Sequence, residues 1–492
     1  MESLALRSFQ FQDTLRYILD FPSPIIQDNH WGFLIPFTYS DTNWSDMMTP
    51  WDDLLFGFRP ARWVWKPILK RLVTGSFAPL VMRPGQTNMP AGLERLGLYL
   101  HVPFCHNLCS YCPYQRVKFD ESLYRRYESA VHQEIELQAQ RMRESLAKAH
   151  GRQPEIVSLY VGGGTPTVVP EALARLLAHL AEAFGAANDT CIEMHPSAMD
   201  DECLRLLHES GVTMVSIGVE SFSDRLLQLI GRSHDAATAE DAVRRAVAQG
   251  FDAVNVDLMF ALPTQTLDEL DRDLQKVLAL GVDQVSTYPI FGFPYTQWGR
   301  QLGLARIARP QGDLIRQMLD LIRQRCREYG LKQCAVWSFL RPTKKKFSST
   351  TRHHYLGFGP SAASMIGSQF SVNTFSVEEY AAALPQRLPV ALVLPVDRRL
   401  ELAYWLYWRV YEMKLSGSDF RGLFKEDLEH VYGKLLRLLT RWGVVQQQNG
   451  SYLVTDNAAY WIHRFQNEYA LNYINRLWGQ CRQESWPQEV RL

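Results

Sequence analysis

The sequence lacks a net charge. Lys plus Arg and Asp plus Glu both number 52 among 492 residues. No overall field therefore draws the chain to nucleic acid or an anionic membrane. It also lacks a basic recognition stripe, which argues against DNA as a partner. No apolar run approaches the roughly 20 residues of a membrane span. The opening residues mix charge with apolar groups, without the basic segment, apolar run and small-residue site of a signal peptide. A cytoplasmic location is the expectation. No repeat of solenoid length and no low-complexity segment interrupts the sequence.

Cysteine is scarce but uneven. Of eight cysteines, Cys105, Cys109 and Cys112 fall within the window HVPFCHNLCSYCPY, spaced C-x3-C-x2-C. Cys191, Cys203, Cys326, Cys334 and Cys481 are scattered among apolar neighbours, as small buried hydrophobes are in a reducing compartment. Three clustered thiolates can hold three irons of a [4Fe–4S] cube and leave the fourth open to a substrate or cofactor. Electron-transfer ferredoxins close the cluster with a fourth Cys. A structural zinc site needs a fourth ligand, and His106 lies between the thiols, poorly placed to supply it.

Aromatic residues are plentiful, with 13 Trp, 21 Tyr and 24 Phe. Core packing accounts for most of them. Apolar residues at 46% and charged residues at 21% are ordinary for a globular protein. The length allows two or three domains.

Four stretches differ in texture, and they set the expected domains. Residues 1–94 form an extension rich in aromatics and proline. Residues 95–310 alternate apolar runs with amphipathic stretches. LGLYLHV, IVSLYVGGG, CIEMH, VSIGVE, AVNVDLMF and QVSTYPI read as strands. PEALARLLAHLAEAF, DAATAEDAVRRAVAQG and TLDELDRDLQKVLALG read as helices between them. The alternation is that of βαβ units in a parallel sheet, and six units predict an α/β fold with a partial (β/α)6 TIM-like barrel. Residues 311–394 begin with the helix DLIRQMLDLIRQRCREYG, continue through a Lys-, Ser- and Thr-rich loop and reach a Gly-rich turn, YLGFGPSAASMIG. Residues 395–492 are mainly helical. A hairpin at RWGVVQQQNGSYLVTD gives them a winged-helix-like order.

The Cys window follows the first strand, at the end where barrel enzymes place their active sites. It resembles the signature of the radical S-adenosylmethionine (SAM) superfamily. More narrowly, the chain resembles the oxygen-independent coproporphyrinogen III oxidase-like (HemN-like) family from about Tyr99 through the C-terminal region. The resemblance rests on YLHVPFC, YVGGGTPT, IEMHPS, VSIGVESF, GRSHD, VNVDLMFALPTQT and YLGFGPSAASMIG, in that order.

The resemblance implies a [4Fe–4S] cluster on Cys105, Cys109 and Cys112 with SAM on its open iron. Reductive cleavage of SAM then gives a 5′-deoxyadenosyl radical that takes hydrogen from an organic substrate. It implies cofactor contacts at Tyr99, at Gly162, Gly163, Gly164 and Thr165, and at Glu193, Glu220, Arg232, Asp257 and Ala261. Arg232 would pair with the cofactor carboxylate, a planar fork on a planar anion. Read without the family, each of these charges is a rim salt bridge and GGG is a tight turn. Gly357 and Gly359 resemble a segment near a second SAM molecule, or form a structural corner. A flavodoxin- or ferredoxin-type reductant and a monomeric chain are expected partners and state.

The sequence departs from the oxidase at several points. Pro113 and Tyr114 stand where oxidases carry a further cysteine. Ala261 stands where the family commonly has Gly, and Glu220 where it commonly has Gln. YPIFGFPYT is not an oxidase-like substrate segment. The expected reaction is accordingly hydrogen abstraction from a small-molecule or tetrapyrrole-like substrate. The alternatives are methyl transfer or cyclopropanation with a second SAM, anaerobic haem breakdown, and a non-enzymatic haem chaperone. Two basic segments are also candidates. Arg59, Arg62, Lys66, Lys70 and Arg71 with Trp63 and Trp65 form either a surface for an anionic substrate or peripheral membrane contact, or an arm packed on the barrel. Lys344, Lys345, Lys346, Arg352, His353 and His354 either hold substrate carboxylates or form a solvated loop.

Overall fold

The computed structural model describes residues 80–303, 310, 312–348, 353–384 and 386–492. The basic aromatic segment around Trp63 and Trp65 lies outside them.

The six expected strands all form. They are β1 (Arg95–Val102), β2 (Glu155–Gly163), β3 (Thr190–Met194), β4 (Met214–Glu220), β5 (Ala253–Phe260) and β6 (Gln284–Pro289). They lie side by side in chain order, each parallel to the next. The crossovers carry helices α1 (Glu121–Ala149), α2 (Pro170–Phe184), α3 (Asp201–Glu209), α4 (Ala236–Gln249) and α5 (Leu267–Ala279). Local chemistry sets where these helices start. Asp120, Asp200 and Asp235 each accept a backbone N–H in the first turn of α1, α3 and α4. Thr266 and Glu269 form a capping box on α5.

Strand alternation separates two environments. Leu96, Leu98, Leu100 and Val102 of β1 join Val215, Ile217, Val254 and Val256 in the main core against the helices. The alternate residues form a polar network. Asn255 donates to Ser216 Oγ (2.6 Å), Ser286 donates to Asn255 Oδ1 (2.9 Å), and Ser216 donates to Asp257 Oδ2 (2.8 Å). This is the reverse of a filled aliphatic barrel interior.

The barrel stays open, because other strands extend both edges. After α6 (Asp313–Glu328), strands β7 (Lys332–Ala335) and β8 (Ser338–Leu340) add antiparallel to β6. At the other edge β9 (Tyr355–Phe358) pairs parallel with β1. Strands β10 (Ala363–Ile366), β11 (Gln369–Asn373) and, after helix α7 (Val377–Ala383), β12 (Val390–Pro395) continue antiparallel to complete a 12-stranded sheet. The stretch read as a Gly-rich turn is thus two strands with the turn between them.

That turn is held by a group the sequence does not advertise. Glu134, buried on α1, accepts from Gly359 N (2.8 Å), Asn373 Nδ2 (2.8 Å) and Tyr380 OH (2.5 Å). Burial raises its pKa to about 7 against the pull of those three donors. Gly359 adopts φ +97°, and a Cβ there would stand 2.4 Å from His101 O. Gly357 is equally confined, by Ala363 O at 2.2 Å. Backbone contacts leave no room for a side chain at either glycine.

The basic loop lies at the other end of the strands. Lys345 Nζ pairs with Asp189 (2.8 Å) and Asp252 (3.0 Å), which precede β3 and β5. Lys344 pairs with Asp283 (3.3 Å) and Lys346 with Glu412 (3.0 Å). Phe347 then packs on Cys191, Met214 and Ala253 at the strand starts. These lysines close the N-terminal mouth of the barrel and are spent on carboxylates of the chain itself.

The C-terminal elements are α8 (Arg398–Tyr411), β13 (Lys414–Ser416), α9 (Gly417–Phe424), α10 (Leu428–Arg441), β14 (Val445–Gln448), β15 (Ser451–Val454) and α11 (Asp456–Gln483). Asn449 and Gly450 turn the β14–β15 hairpin with φ +48° and +71°, as a type I′ turn requires. Trp405, Leu415, Phe420 and Leu436 give this winged-helix-like unit its own core. No helix among the described residues is long and apolar enough to cross a membrane.

Candidate active site

The three thiols sit on the loop between β1 and α1, at the C-terminal end of the parallel strands. Cys105 is buried, and Cys109 and Cys112 are half-buried. Backbone hydrogen bonds fix the loop to the end of β2. Gly164 N donates to Val102 O (2.8 Å) and Thr165 N to Phe104 O (2.7 Å). Thr165 Oγ1 lies 3.7 Å from Cys105 Sγ. Arg116 donates to the carbonyls of Cys112 (2.8 Å) and Cys109, clamping the far side of the loop. Arg482 of α11 donates to Pro113 O (2.6 Å).

Burial pushes the Cys105 thiol up and takes Cys112 to about 11, with the Arg116 charge drawing both back. The chain without metal therefore holds these thiols protonated, and a metal that binds them must displace protons. None of the eight cysteines is in a disulfide.

Behind the loop the C-terminal halves of β3, β4 and β5 present Glu193, Glu220 and Asp257. Each is held by neutral donors. Glu193 accepts from Tyr160 OH (2.5 Å) and Gly163 N (3.2 Å). A Cβ on Gly162 would stand 2.8 Å from the same carboxylate. Glu220 accepts from Tyr111 OH (3.0 Å) and Tyr288 OH (2.6 Å). Asp257 accepts from Ser216 and from Asn255 Nδ2 (2.9 Å). Among the described residues none of the three makes an ion pair. Burial raises Glu193, and it raises Asp257 to about 7 with help from the Glu220 charge. Glu220 is buried and Glu193 and Asp257 are half-buried, and carboxylates enclosed among neutral donors are costly alone. Such a group fits a cationic ligand.

Arg232 is the cation next to this group. It follows the short helix Asp224–Ile230 and donates to Cys109 Sγ (3.5 Å) and Gly218 O. Burial works against its charge, but Tyr111, Glu220 and Cys109 outweigh that and hold its pKa above the ordinary arginine value. Its Nε is buried without a hydrogen-bond partner among the described residues, an open donor for an anion. Tyr99 on β1 donates to His101 Nδ1 (2.7 Å), whose Nε2 meets Gln115 O (2.9 Å). Burial lowers His101 to about 4, so the ring is neutral and its tautomer is set.

Two of the expected site residues are strained. Glu220 has φ +68° and Ala261 φ +53°. A left-handed non-Gly residue costs about 1–2 kcal/mol. The Gly common in the family at Ala261 suits that backbone. The strain falls at the ends of β4 and β5, beside the carboxylates.

The structure thus brings Cys105, Cys109, Cys112, Gly162, Gly163, Gly164, Thr165, Glu193, Glu220, Arg232 and Asp257 to the C-terminal end of the parallel strands. Tyr99 lies further down β1. Gly357 and Gly359 serve the β9–β10 turn. Sequence reasoning missed Tyr111, Tyr288, Arg116 and the pair His195 and His234, whose rings meet edge to face at 5.1 Å. Tyr111 carried a signal, since it lies between two of the clustered thiols.

One consequence of the burial is testable. Asp257 is raised from 3.8 to about 7. A carboxyl raised on folding binds its proton more tightly in the native state, so stability is lost as pH rises through this window. Denaturant titrations of the ligand-free chain should show stability falling from pH 4 to about 7. Asp257→Asn should flatten part of that slope, and an unchanged slope would show that Asp257 is not the group titrating.

A sequence model of the Radical SAM superfamily matches residues 99–277. A protein named heme chaperone HemW from Bacillus subtilis is 28% identical over 366 residues, covering 73% of this chain and 94% of its own. The protein of that name from Mycobacterium tuberculosis is 31% identical over 320 residues, covering 63% and 79%. An oxygen-independent coproporphyrinogen III oxidase from Paracoccus denitrificans is 26% identical, covering 68% and 73%. In fold the chain is similar to the solved coproporphyrinogen III oxidase (HemN) from Escherichia coli, with a TM-score of 0.63 and 22% identity over 79% of this chain and 90% of that one. The chain belongs to the radical SAM superfamily, whose members use a [4Fe–4S] cluster and SAM, and within it to the HemN-like family.

Proposed function

We propose that this chain is a HemN-like radical SAM enzyme acting on an organic substrate of the tetrapyrrole class. The observation that carries the reading is the meeting of the three loop thiols with three enclosed carboxylates hydrogen-bonded only to neutral donors, beside the cation Arg232. Cys105, Cys109 and Cys112 would hold the cluster. Glu193, Glu220 and Asp257 would face the amino and sulfonium cations of SAM, and the open Nε donor of Arg232 would take its carboxylate. When bound, these groups supply an electron and a 5′-deoxyadenosyl radical that takes a hydrogen atom from substrate.

The chain's own part is to orient and to dry the site. Tyr111 and Tyr288 hold both oxygens of Glu220, which fixes the cluster loop to β4 and β6. Ile290 and Trp298 pack with Tyr111 and Met259, and the half-buried Cys109 joins them. Apolar walls of this kind exclude water that would quench a reactive intermediate.

Relatives named for coproporphyrinogen and for heme support a tetrapyrrole. Pro113 and Tyr114, at the position of the oxidase's further cysteine, argue against coproporphyrinogen itself. The relatives named heme chaperone favour a second reading, a haem carrier. Anaerobic incubation of cluster-loaded protein with reductant, SAM and either tetrapyrrole separates the two. The enzyme should release 5′-deoxyadenosine in amounts that rise with substrate. Tight haem binding with no substrate-dependent cleavage would replace that reading with the carrier. S-adenosylhomocysteine beside 5′-deoxyadenosine would redirect it to methyl transfer.

A further inference from the structure

A second cluster of ligand-type side chains lies at the opposite end of the sheet from the thiols. Gly97 N, near the start of β1, donates to His354 O (2.9 Å). His353 Nε2 lies 3.0 Å from Glu401 Oε1 on α8. One donor atom from each of His353, His354 and Glu401 lies within 4.8 Å of the other two. The two imidazoles meet edge to face at 4.5 Å.

His354 is the informative member. Its ring is hydrogen-bonded to the Met365 backbone, and its Nδ1 is buried with no hydrogen-bond partner. A ring held by one nitrogen on a backbone group, with the other nitrogen free, is how metal-ligating histidines are oriented.

We infer that His353, His354 and Glu401 form a binding site for a divalent transition-metal cation of the Zn²⁺ class. Two imidazole nitrogens and one carboxylate oxygen suit Zn²⁺. Ca²⁺ and Mg²⁺ prefer all-oxygen sets. An ordinary ion pair between His353 and Glu401 explains two of the residues but leaves His354 Nδ1 without a purpose. Arg398 shares the Glu401 carboxylate through the other oxygen, Oε2 (3.4 Å), which leaves Oε1 to face the histidines. Phe424 and Tyr404 wall the site against the His353 ring, at 5.5 and 6.1 Å. A cation here would tie the residues entering β9 to α8, and so the large sheet to the winged-helix-like unit.

The test uses the full chain with its iron–sulfur cluster in place, stripped of other metals by a chelator and titrated with Zn²⁺. One equivalent of zinc should bind while iron and sulfide stay constant, which excludes displacement at the cysteines. His354→Ala and Glu401→Gln should each weaken that binding by at least about tenfold. Zinc should also raise the unfolding temperature of the parent and not of either variant. Circular dichroism and iron content check that the variants fold. No zinc retained, or equal zinc in parent and variants, would overturn the inference.

Discussion

Replacing Cys105, Cys109 and Cys112 together by alanine is expected to give a folded chain that holds no cluster and does not cleave SAM. Iron after anaerobic reconstitution should fall from about four per chain to near zero. Cofactor cleavage should fall by more than about a thousandfold, roughly 4 kcal/mol of barrier. The fold should survive because the loop is anchored elsewhere. Its backbone is bonded to Gly164 and Thr165, Arg116 holds its carbonyls, and Tyr111 ties it to Glu220. Cys105 and Cys112 carry protonated thiols in the metal-free chain, and removing them deletes no ion pair. Iron assays with near- and far-ultraviolet circular dichroism decide the matter. A variant that keeps its full iron, or a parent in which zinc replaces iron at these cysteines, would sink the cluster assignment.

The barrel was legible because its strands are buried on one face by helices and on the other by one another. Runs such as AVNVDLMF between amphipathic stretches have no other good solution. The thiol window was legible because ligand spacing is local. Glu193, Glu220 and Asp257 were legible through register, since each lies in the C-terminal half of a strand of the same sheet.

What escaped is non-local. Tyr111 meets Glu220 across 109 residues and Tyr288 meets it across 68. Tyr111 stands out only by lying between two clustered thiols, and nothing near Tyr288 distinguishes it from other tyrosines in the chain. Glu134 reads as one more acid on a polar helix until Gly359, 225 residues on, is folded against it. The lysines of the 344–346 loop announce charge but not which mouth of the barrel they close. Asp189, Asp252 and Asp283 settle that, by standing at the starts of strands. Strand β9 hid because its glycine, required by the Ala363 carbonyl, makes a strand look like a turn.

Gly164→Ala carries the same logic down to one methyl group. The segment Gly164–Thr165 is bonded to the carbonyls of Val102 and Phe104, so it is fixed against the residues flanking Cys105. A Cβ on Gly164 would stand 2.5 Å from Phe104 O and 2.9 Å from Cys105 Sγ. The first contact is with backbone, which cannot rotate away, so the loop must move. Overpacking of this kind costs about 1–3 kcal/mol. Displacement of Cys105 should weaken cluster retention by roughly 10–100-fold, as loss of a supporting contact does at other metal sites. Gly422→Ala is the matched control. Gly422 lies within α9 with nothing inside 4 Å of its added Cβ. Alanine there should stabilise the chain by about 0.5–1 kcal/mol and leave iron content alone. Iron retention after chelator challenge and denaturant midpoints for the two variants give the comparison. If Gly164→Ala keeps its iron as the parent does, the close seat of the cysteine loop on β2 is not what shapes the cluster site. The glycine would then be there for the cofactor's approach, and the deficit should appear in SAM affinity instead.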